Sequence, residues 1–173
     1  PDVLDDVHAH VGVHQLLDFI VDFFPSPLES RARVATKGGS EVQVAQSPDG
    51  PFSALCFKLM VDPYVGKLSF IRVNSGRLTS DGTIFNVNKG EEERISSFKF
   101  MTGKEGKDVK EIVVGDILAI PKLHSTQLGD TLALKGETLT YPPISFPAPV
   151  YSVAVTAKSR ADEDKLGNAI NKT

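Results

Sequence analysis

Cysteine and tryptophan are almost missing from this sequence: one of its 173 residues is cysteine, Cys56, and none is tryptophan. A single cysteine excludes an internal disulfide and is typical of a reducing compartment. Cys56 lies in an apolar segment without a neighbouring histidine, which predicts a buried structural thiol rather than a nucleophile. Long apolar runs are missing too, since none approaches the ~20 residues that a membrane-spanning helix requires.

Neither sign of charge is in large excess. Lysine and arginine number 19 against 22 aspartates and glutamates, which gives a net charge of −3. This mild acidity argues against a protein whose whole surface binds nucleic acid, but a local basic face stays possible. Hydrophobic residues make up 40% of the chain, which is enough to build a core and argues against global disorder.

The motifs of common catalytic sites are also missing. The sequence has no G-x-x-x-x-G-K-[ST] phosphate loop and no G-x-S-x-G nucleophile elbow. His8, His10 and His14 lie close together, and the i, i+4 spacing of His10 and His14 is compatible with a shared metal. The alternative is a solvated helix start that contains histidines, because no cysteine or HExxH-type partner supports a metal. We therefore expect no catalysis, no cofactor and no metal site in this chain.

Apolar periodicity predicts a helix followed by many short strands. Residues 12–24 have apolar positions at helical spacing, and prolines 25 and 27 end the helix. Residues 28–50 predict a linker with one short strand at 41–45. The strands predicted after residue 51 are 54–61, 67–74, 83–87, 94–101, 109–113, 116–123 and 131–134, with a polar loop at 102–107. Short strands at this spacing indicate an antiparallel sandwich or barrel, and a closed barrel would protect the strand edges.

The last thirty residues predict a connector, a strand and a second helix. Prolines stiffen residues 142–149, residues 150–157 alternate like a strand, and Ser159 with Asp162 has capping-box spacing. One strand and one helix cannot bury each other's apolar faces alone. We expect this segment to begin a further domain and the leading helix to end one, so that the chain is a piece of a longer protein.

Basic residues supply the candidate binding surface. Lys58, Lys67, Arg72 and Arg77 lie in or beside the first two strands after residue 51, and a barrel could gather them into one phosphate-binding face. The alternative is ordinary solubilising charge scattered around the barrel. Lys89 and Arg94 are weaker candidates, because the acidic run 91–93 separates them and would repel phosphate. We interpret that acidic run as the solvated end of a hairpin.

Several ordered blocks resemble elongation factor G. They include Asp62-Pro63-Tyr64-Val65-Gly66-Lys67-Leu68, Arg72-Val73-Asn74-Ser75-Gly76, Asn88-Lys89-Gly90, Gly115-Asp116-Ile117 and Gly129-Asp130-Thr131-Leu132. Upstream, Gly12-Val13 with Leu16-Leu17-Asp18 is similar to the last helix of that family's GTPase domain. Downstream, Phe146-Pro147-Ala148-Pro149-Val150 and the segment 158–166 are similar to the start of its third domain. The glutamates at 91–93 depart from the basic residues usual there, which suggests a paralogue of the main translocase.

The resemblance implies a domain organisation. Residues 1–27 would be the end of a GTPase domain, 28–50 a linker, 51–141 the β-barrel second domain, and 142–173 a connector with the start of the third domain. The fold class expected is therefore mainly β: an antiparallel translation-factor-type barrel, with a helix before it and a partial α+β piece after it.

The resemblance also implies a function. The parent would be a cytoplasmic, ribosome-dependent GTPase that drives translocation, with GTP and Mg in a domain absent here. The fragment would not be an enzyme; its barrel would contact small-subunit ribosomal RNA, and its other partners would be the GTPase and third domains, without DNA or membrane. The RNA-contact candidates are Lys58, Lys67, Arg72, Arg77, Lys89 and Arg94. The alternatives are a ribosome-recycling or ribosome-protection paralogue, or an RNA- or protein-binding barrel unrelated to translation.

Overall fold

The computed structural model describes residues 12–62 and 64–170, and within them the chain is mainly β. Two α-helices, α1 (Val13–Phe23) and α2 (Arg160–Ile170), flank the strands, and a short 3₁₀ helix covers Pro27–Glu29. The strands are β1 (Arg33–Lys37), β2 (Ser40–Val44), β3 (Ser53–Asp62), β4 (Gly66–Ser75), β5 (Arg77–Thr79), β6 (Thr83–Asn86), β7 (Glu91–Arg94), β8 (Phe98–Thr102), β9 (Glu105–Val109), β10 (Glu111–Val113), β11 (Ile117–Pro121), β12 (Thr131–Ala133) and β13 (Leu139–Thr140). No helix in the described part of the chain is long and apolar enough to span a membrane.

The main sheet is antiparallel and runs in the order β7-β6-β12-β3-β4-β11-β8-β9. It curls around one core, because strands from across its width contribute to a single apolar cluster. The members of that cluster are Phe52, Ala54, Cys56, Ile71, Val73, Ile84, Ile95, Phe98, Ile112, Leu118, Ile120, Leu123 and Leu132. A small sheet pairs β10 with β5, and another has the order β13-β1-β2. This arrangement confirms the predicted mainly β, antiparallel fold wrapped around a single core.

The long strands β3 and β4 divide their residues between the core and the outer face. Ile71 and Val73 are buried in the core, whereas Phe70 and Arg72 alternate with them and are only half-buried. A register shift between Cys56 and Lys58 marks a bulge in β3. A bulge inserts one extra residue, so Lys58 pairs with Phe70 and lies on the outer face.

Gly76 is required where β4 turns into β5. Its φ is +74°, and a Cβ built there would lie 2.6 Å from the backbone of Phe52 and from the carbonyl oxygen of Gly50. Any side chain would therefore combine an unfavourable left-handed conformation with a clash against backbone. The close approach lets the chain entering β3 cross β4 at its end.

Several strands differ from the predicted ones. The segment 28–50 contains a complete hairpin of β1 and β2, of which only the second strand was predicted. The predicted strand 94–101 is divided between β7 and β8. Of the predicted polar loop 102–107, only the turn at 103–104 remains, because residue 102 ends β8 and residues 105–107 belong to β9, which pairs with β8. The short strand β5 was also missed. Polar residues form these strands because the partner strand, rather than burial, holds them.

The predicted strand at 150–157 is wrong, since these residues have no regular structure. Alternating apolar residues form a strand only where a neighbouring strand accepts the hydrogen bonds, and the described residues provide none for this segment. The predicted second helix is confirmed as α2. Ser159 precedes it, and the Ser159 hydroxyl lies 2.6 Å from a carboxylate oxygen of Asp162.

Both ends of the described chain expose apolar side chains. In α1 no residue is buried, and Leu16 and Phe23 are 58% and 71% exposed. In the C-terminal segment Val150 and Tyr151 are 100% and 81% exposed. Phe23 packs only against Phe19 of the same helix, at 4.8 Å between ring centroids, so none of these apolar surfaces is covered by another element of the described chain.

We expect hydrogen exchange to be slow in β3 and β4 and fast in α1 and residues 150–170. The backbone N–H groups of β3 and β4 form hydrogen bonds to neighbouring strands and lie next to the buried core. The two ends bury few side chains, so their hydrogen bonds can open locally at a low cost in free energy. Exchange of the dilute 173-residue chain, followed by mass spectrometry, measures the difference. Equal protection of the ends and of β4 in a monomer would contradict this expectation.

Candidate functional site

The ammonium group of Lys67, at the start of β4, binds backbone carbonyl groups of another segment of the protein. Its Nζ donates hydrogen bonds to the backbone carbonyl oxygens of His124, at 3.2 Å, and of Thr126. Both carbonyls belong to residues 122–127, which follow β11 and are called the 122–127 loop below. Lys67 is half-buried. Because its ammonium already donates two hydrogen bonds to this loop, it has fewer N–H donors left for a ligand.

Glu93 binds the same loop through its N–H groups. Its carboxylate accepts hydrogen bonds from the backbone nitrogens of Ser125 and Thr126, at 3.0 and 2.9 Å, and from the Thr126 hydroxyl. Glu93 is 8% exposed. Lysine on the carbonyls and glutamate on the amides together fix the loop on the barrel, because both kinds of backbone group are satisfied.

The interpretation of residues 91–93 as a solvated hairpin end is therefore wrong for Glu93. These residues form β7, and strand alternation turns the third carboxylate towards the loop while its neighbours stay exposed. Glu92 pairs with Lys135 at 3.2 Å. Most of the acidic charge that was expected to repel phosphate is thus buried or paired.

The pKa of Glu93 reflects this environment. Burial by itself raises the pKa of the carboxyl, but the hydrogen bonds from Thr126 and Ser125 outweigh burial and lower the pKa below its ordinary value of 4.5. The ionised form is therefore the one that the fold stabilises.

Lys89 lies beside the other end of the 122–127 loop. Its Nζ donates a hydrogen bond to Oε1 of Gln127 at 2.9 Å, and its backbone nitrogen donates to Oδ1 of Asn86 at 3.1 Å. The buried amide of Asn86 donates in turn to the carboxylate of Asp130 at 2.8 Å. The turn that carries Lys89 is thus fixed to the barrel, and its ammonium remains exposed, without an acidic partner among the described residues.

Arg94 and Lys122 complete a basic region at this loop. Both are exposed, and together with His124 and the three glutamates they line a cleft of about 520 Å³. Neither has an ion pair within the described residues. We call Lys89, Arg94 and Lys122 the loop surface. Lys122 was not among the six predicted residues, because it lay inside a predicted strand. Its φ of +62° marks it as the residue at which the strand ends.

Lys58 and Arg72 lie on a different part of the barrel, as neighbours on the outer face of β3 and β4. The Nζ of Lys58 lies 5.5 Å from the centroid of the Phe70 ring, within the range of a cation–π interaction. Arg72 follows Phe70 by two residues on the same face and pairs across the strands with Leu55 and Ile117. The two strands are adjacent and both side chains point outward, as an RNA-binding face would require. Arg72 does not pair with Asp116, whose carboxylate accepts the Val113 N–H instead.

Arg77 is surrounded by acids. Its guanidinium donates to Asp49 at 3.0 Å, lies 3.9 Å from a carboxylate oxygen of Glu111, and donates through Nε to the carbonyl oxygen of Pro48. The acids offset its charge, so it contributes little positive potential for a phosphate. Of the six predicted residues, the structure brings Lys67, Lys89 and Arg94 to the 122–127 loop, places Lys58 and Arg72 together, and leaves Arg77 apart.

The remaining predicted sites are placed as follows. Cys56 is buried, and burial, followed by the nearby charge of Asp130, raises the pKa of its thiol to about 12, which confirms an unreactive structural cysteine. His14 is exposed on α1, and His8 and His10 lie outside the described residues. Among the residues that the structure describes, no group of three metal-ligating side chains comes together.

The barrel matches a known family. Residues 51–135 match the family described as elongation factor G domain 2, and they contain β3 to β12 with the core cluster above. These residues belong to that family. The chain therefore contains a translation-factor barrel, and the resemblance noted in the sequence is confirmed.

The fold of nearly the whole chain is also similar to a solved structure. A crystal structure of a protein from Thermus thermophilus aligns over 93% of this chain with 30% sequence identity and a TM-score of 0.71. The chain spans only 22% of that protein's length. The similarity extends beyond residues 51–135 and so includes the segments that flank the elongation factor G domain 2 barrel.

We expect Glu93→Gln to lower the free energy of unfolding at pH 7 by about 1–3 kcal/mol, because a buried amide cannot replace the charged acceptor of three hydrogen bonds. The folded pKa of Glu93 lies below the unfolded value, so its contribution is complete above pH 4.5 and is lost as the pH falls through the folded pKa. Urea unfolding of wild type and variant between about pH 3.5 and 7 measures the difference.

The matched control for that experiment is Glu91→Gln, which removes the same charge from an exposed position of β7. We expect it to change stability by less than about 0.5 kcal/mol. A Glu93→Gln penalty that is equal at pH 3.5 and pH 7 would contradict the role of the ionised carboxylate.

Proposed function

We propose that this chain is a non-catalytic docking module of a translational GTPase, and that it places the loop surface on small-subunit ribosomal RNA. The match of residues 51–135 to elongation factor G domain 2 carries the proposal. In a longer, cytoplasmic parent protein the barrel would couple ribosome contact to a GTPase domain during translocation. The exposed apolar side chains of α1 and of residues 146–155 support neighbouring domains on both sides.

Electrostatics favour the loop surface over the other basic residues as the RNA contact. A protein of net charge −3 can approach RNA only where positive charge is gathered and uncompensated. Lys89, Arg94 and Lys122 are exposed without an ion pair among the described residues. Of the neighbouring acids, Glu92 is paired with Lys135 and Glu93 is bound by the 122–127 loop, which leaves Glu91 as the exposed acid beside them. Lys58 is the fourth exposed candidate, and Arg77 is the least suitable because Asp49 and Glu111 compensate it.

The loop surface is also held in place. Lys89 is positioned by Asn86 and Gln127, and Lys122 begins the loop that Lys67 and Glu93 fix from two sides. A rigid arrangement of cations loses less conformational entropy on binding than flexible lysines would. These contacts support a binding surface that is preformed in the free protein.

We expect the binding of the 173-residue chain to small ribosomal subunits to weaken as the salt concentration rises. The substitutions Lys89→Gln, Arg94→Gln and Lys122→Gln should each reduce affinity, and each lost phosphate contact should lower the slope of log affinity against log salt by about 0.7–0.9. Co-sedimentation across a series from about 50 to 200 mM salt measures both quantities.

Arg77→Gln is the matched control, since it removes the same charge from an exposed but acid-paired position. It should leave affinity and slope nearly unchanged. If the three loop-surface variants behave like Arg77→Gln, or if the wild-type chain shows no salt-dependent association, the proposed RNA contact is wrong.

We also expect this chain neither to bind nor to hydrolyse GTP. The sequence has no phosphate loop, the motif whose backbone N–H groups hold the β- and γ-phosphates in P-loop GTPases. Calorimetric titration of the chain with GTP and Mg²⁺ should give only the heat of dilution. A stoichiometric heat with micromolar affinity would refute the expectation that the catalytic chemistry belongs to another domain.

A further inference from the structure

A second cleft lies on the outer face of the barrel, beneath the hairpin of β1 and β2. It has a volume of about 510 Å³, within the range of small-molecule sites. It is lined by Arg33, Val34, Leu55, Phe57, Arg72, Asn74, Ile117, Tyr141 and Pro142. This outer-face cleft is distinct from the loop surface, and no residue is common to the two.

The walls of the outer-face cleft are apolar, but two arginines enter it. Arg33 comes from β1 and Arg72 from the outer face of β4, so two separate sheets contribute one guanidinium each. Neither arginine has an ion pair within the described residues, and no acid lines the cleft. The cleft therefore holds two positive charges without a counter-charge from the described part of the chain.

Arg72 carries the clearest sign of a missing partner. Its Nε is buried and has no hydrogen-bond acceptor among the described residues. Burial, and next the charge of Arg33, lower the pKa of Arg72 below its ordinary range, so the positive charge of Arg72 is disfavoured in the absence of an anion. A buried donor without an acceptor is destabilising, and native proteins rarely keep one unless a ligand satisfies it.

We propose that the outer-face cleft binds a small organic oxyanion, whose carboxylate or phosphate group lies between Arg33 and Arg72 and whose apolar body packs on the cleft wall. The planar guanidinium matches carboxylate and phosphate oxygens with two parallel hydrogen bonds. Leu55, Phe57 and Ile117 provide the apolar surface for an aromatic or aliphatic body. The anion would supply both the counter-charge and an acceptor for the Arg72 donors.

The rim of the outer-face cleft is rigid enough to act as a site. Tyr141 is buried, and its hydroxyl lies 2.7 Å from the hydroxyl of Ser53. Its backbone nitrogen donates a hydrogen bond to the Thr131 hydroxyl at 2.8 Å, which fixes the chain just after β13. The hairpin that carries Arg33 pairs with β13 through β1, so both sides of the cleft are tied together.

The experiment is an NMR titration of the 173-residue chain with 4-phenylbutyrate and with phenyl phosphate, and with 4-phenylbutyramide as a neutral control. We expect dissociation constants on the order of 1–10 mM for at least one anion, as for other ligands of this size. The amide signals of Arg33, Leu55, Arg72 and Ile117 should shift, and the neutral amide should bind at least about tenfold more weakly. Binding of only one of the two anions would identify the oxyanion as carboxylate or phosphate.

Arg72→Gln and Arg33→Gln should each weaken anion binding about tenfold, since each removes a charged hydrogen-bond donor. Arg33 lies on the exposed hairpin, so its variant tests the proposal even if Arg72→Gln fails to fold. Arg31→Gln, at an exposed arginine outside the cleft, is the matched control and should bind as wild type does. Equal binding by Arg33→Gln, equal affinity for the neutral amide, or shifts of these amides by RNA but by neither anion would overturn the proposal.

Discussion

The pairing of β3 with β4 is the constraint on which the rest of the structure depends. These two ten-residue strands are long enough to supply both the core and the outer face of the barrel. Because neighbouring residues of a strand point to opposite faces, Ile71 and Val73 must enter the core when Phe70 and Arg72 face outward. A register error of one residue would bury Arg72 and expose Ile71. The bulge before Lys58 adjusts β3 to this pairing and sets the position of that lysine.

The polar side chains of the barrel are divided between holding loops and remaining free for partners. Lys67 and Glu93 hold the 122–127 loop from its carbonyl and amide sides, and Arg77 pairs with acids. The remaining cations, at the loop surface and in the outer-face cleft, have no acidic partner among the described residues. Charges that already bind backbone groups or acids of the barrel are occupied, whereas charges without such partners are available to RNA or to a small anion.

The two proposed surfaces would serve different partners. The loop surface is open, which suits a polyanion that can bridge several cations, and Glu91 is the exposed acid that opposes its approach. The outer-face cleft has mostly apolar walls, so it suits one anionic group on a compact apolar body. This difference follows from burial: a phosphate backbone on an open surface keeps much of its water while it releases counterions, whereas a ligand in an apolar cleft must exchange water for direct hydrogen bonds.

The sequence by itself determined the fold class, the second helix, the inert Cys56 and the family, because these depend on local periodicity and on ordered motifs of residues 62–132. It also named Lys58 and Arg72 as candidates on the first two strands after residue 51, but simple alternation would place Lys58 on the same face as the buried Cys56. The bulge between Cys56 and Lys58 turns Lys58 outward, next to the strand that carries Arg72. Only the tertiary structure decided the roles of Lys67, Glu93 and Arg77, whose partners lie about thirty to sixty residues away in the chain. It likewise decided that 150–157 is not a strand and that Arg33 meets Arg72, because a strand and a cleft both require a partner that no short segment of sequence contains.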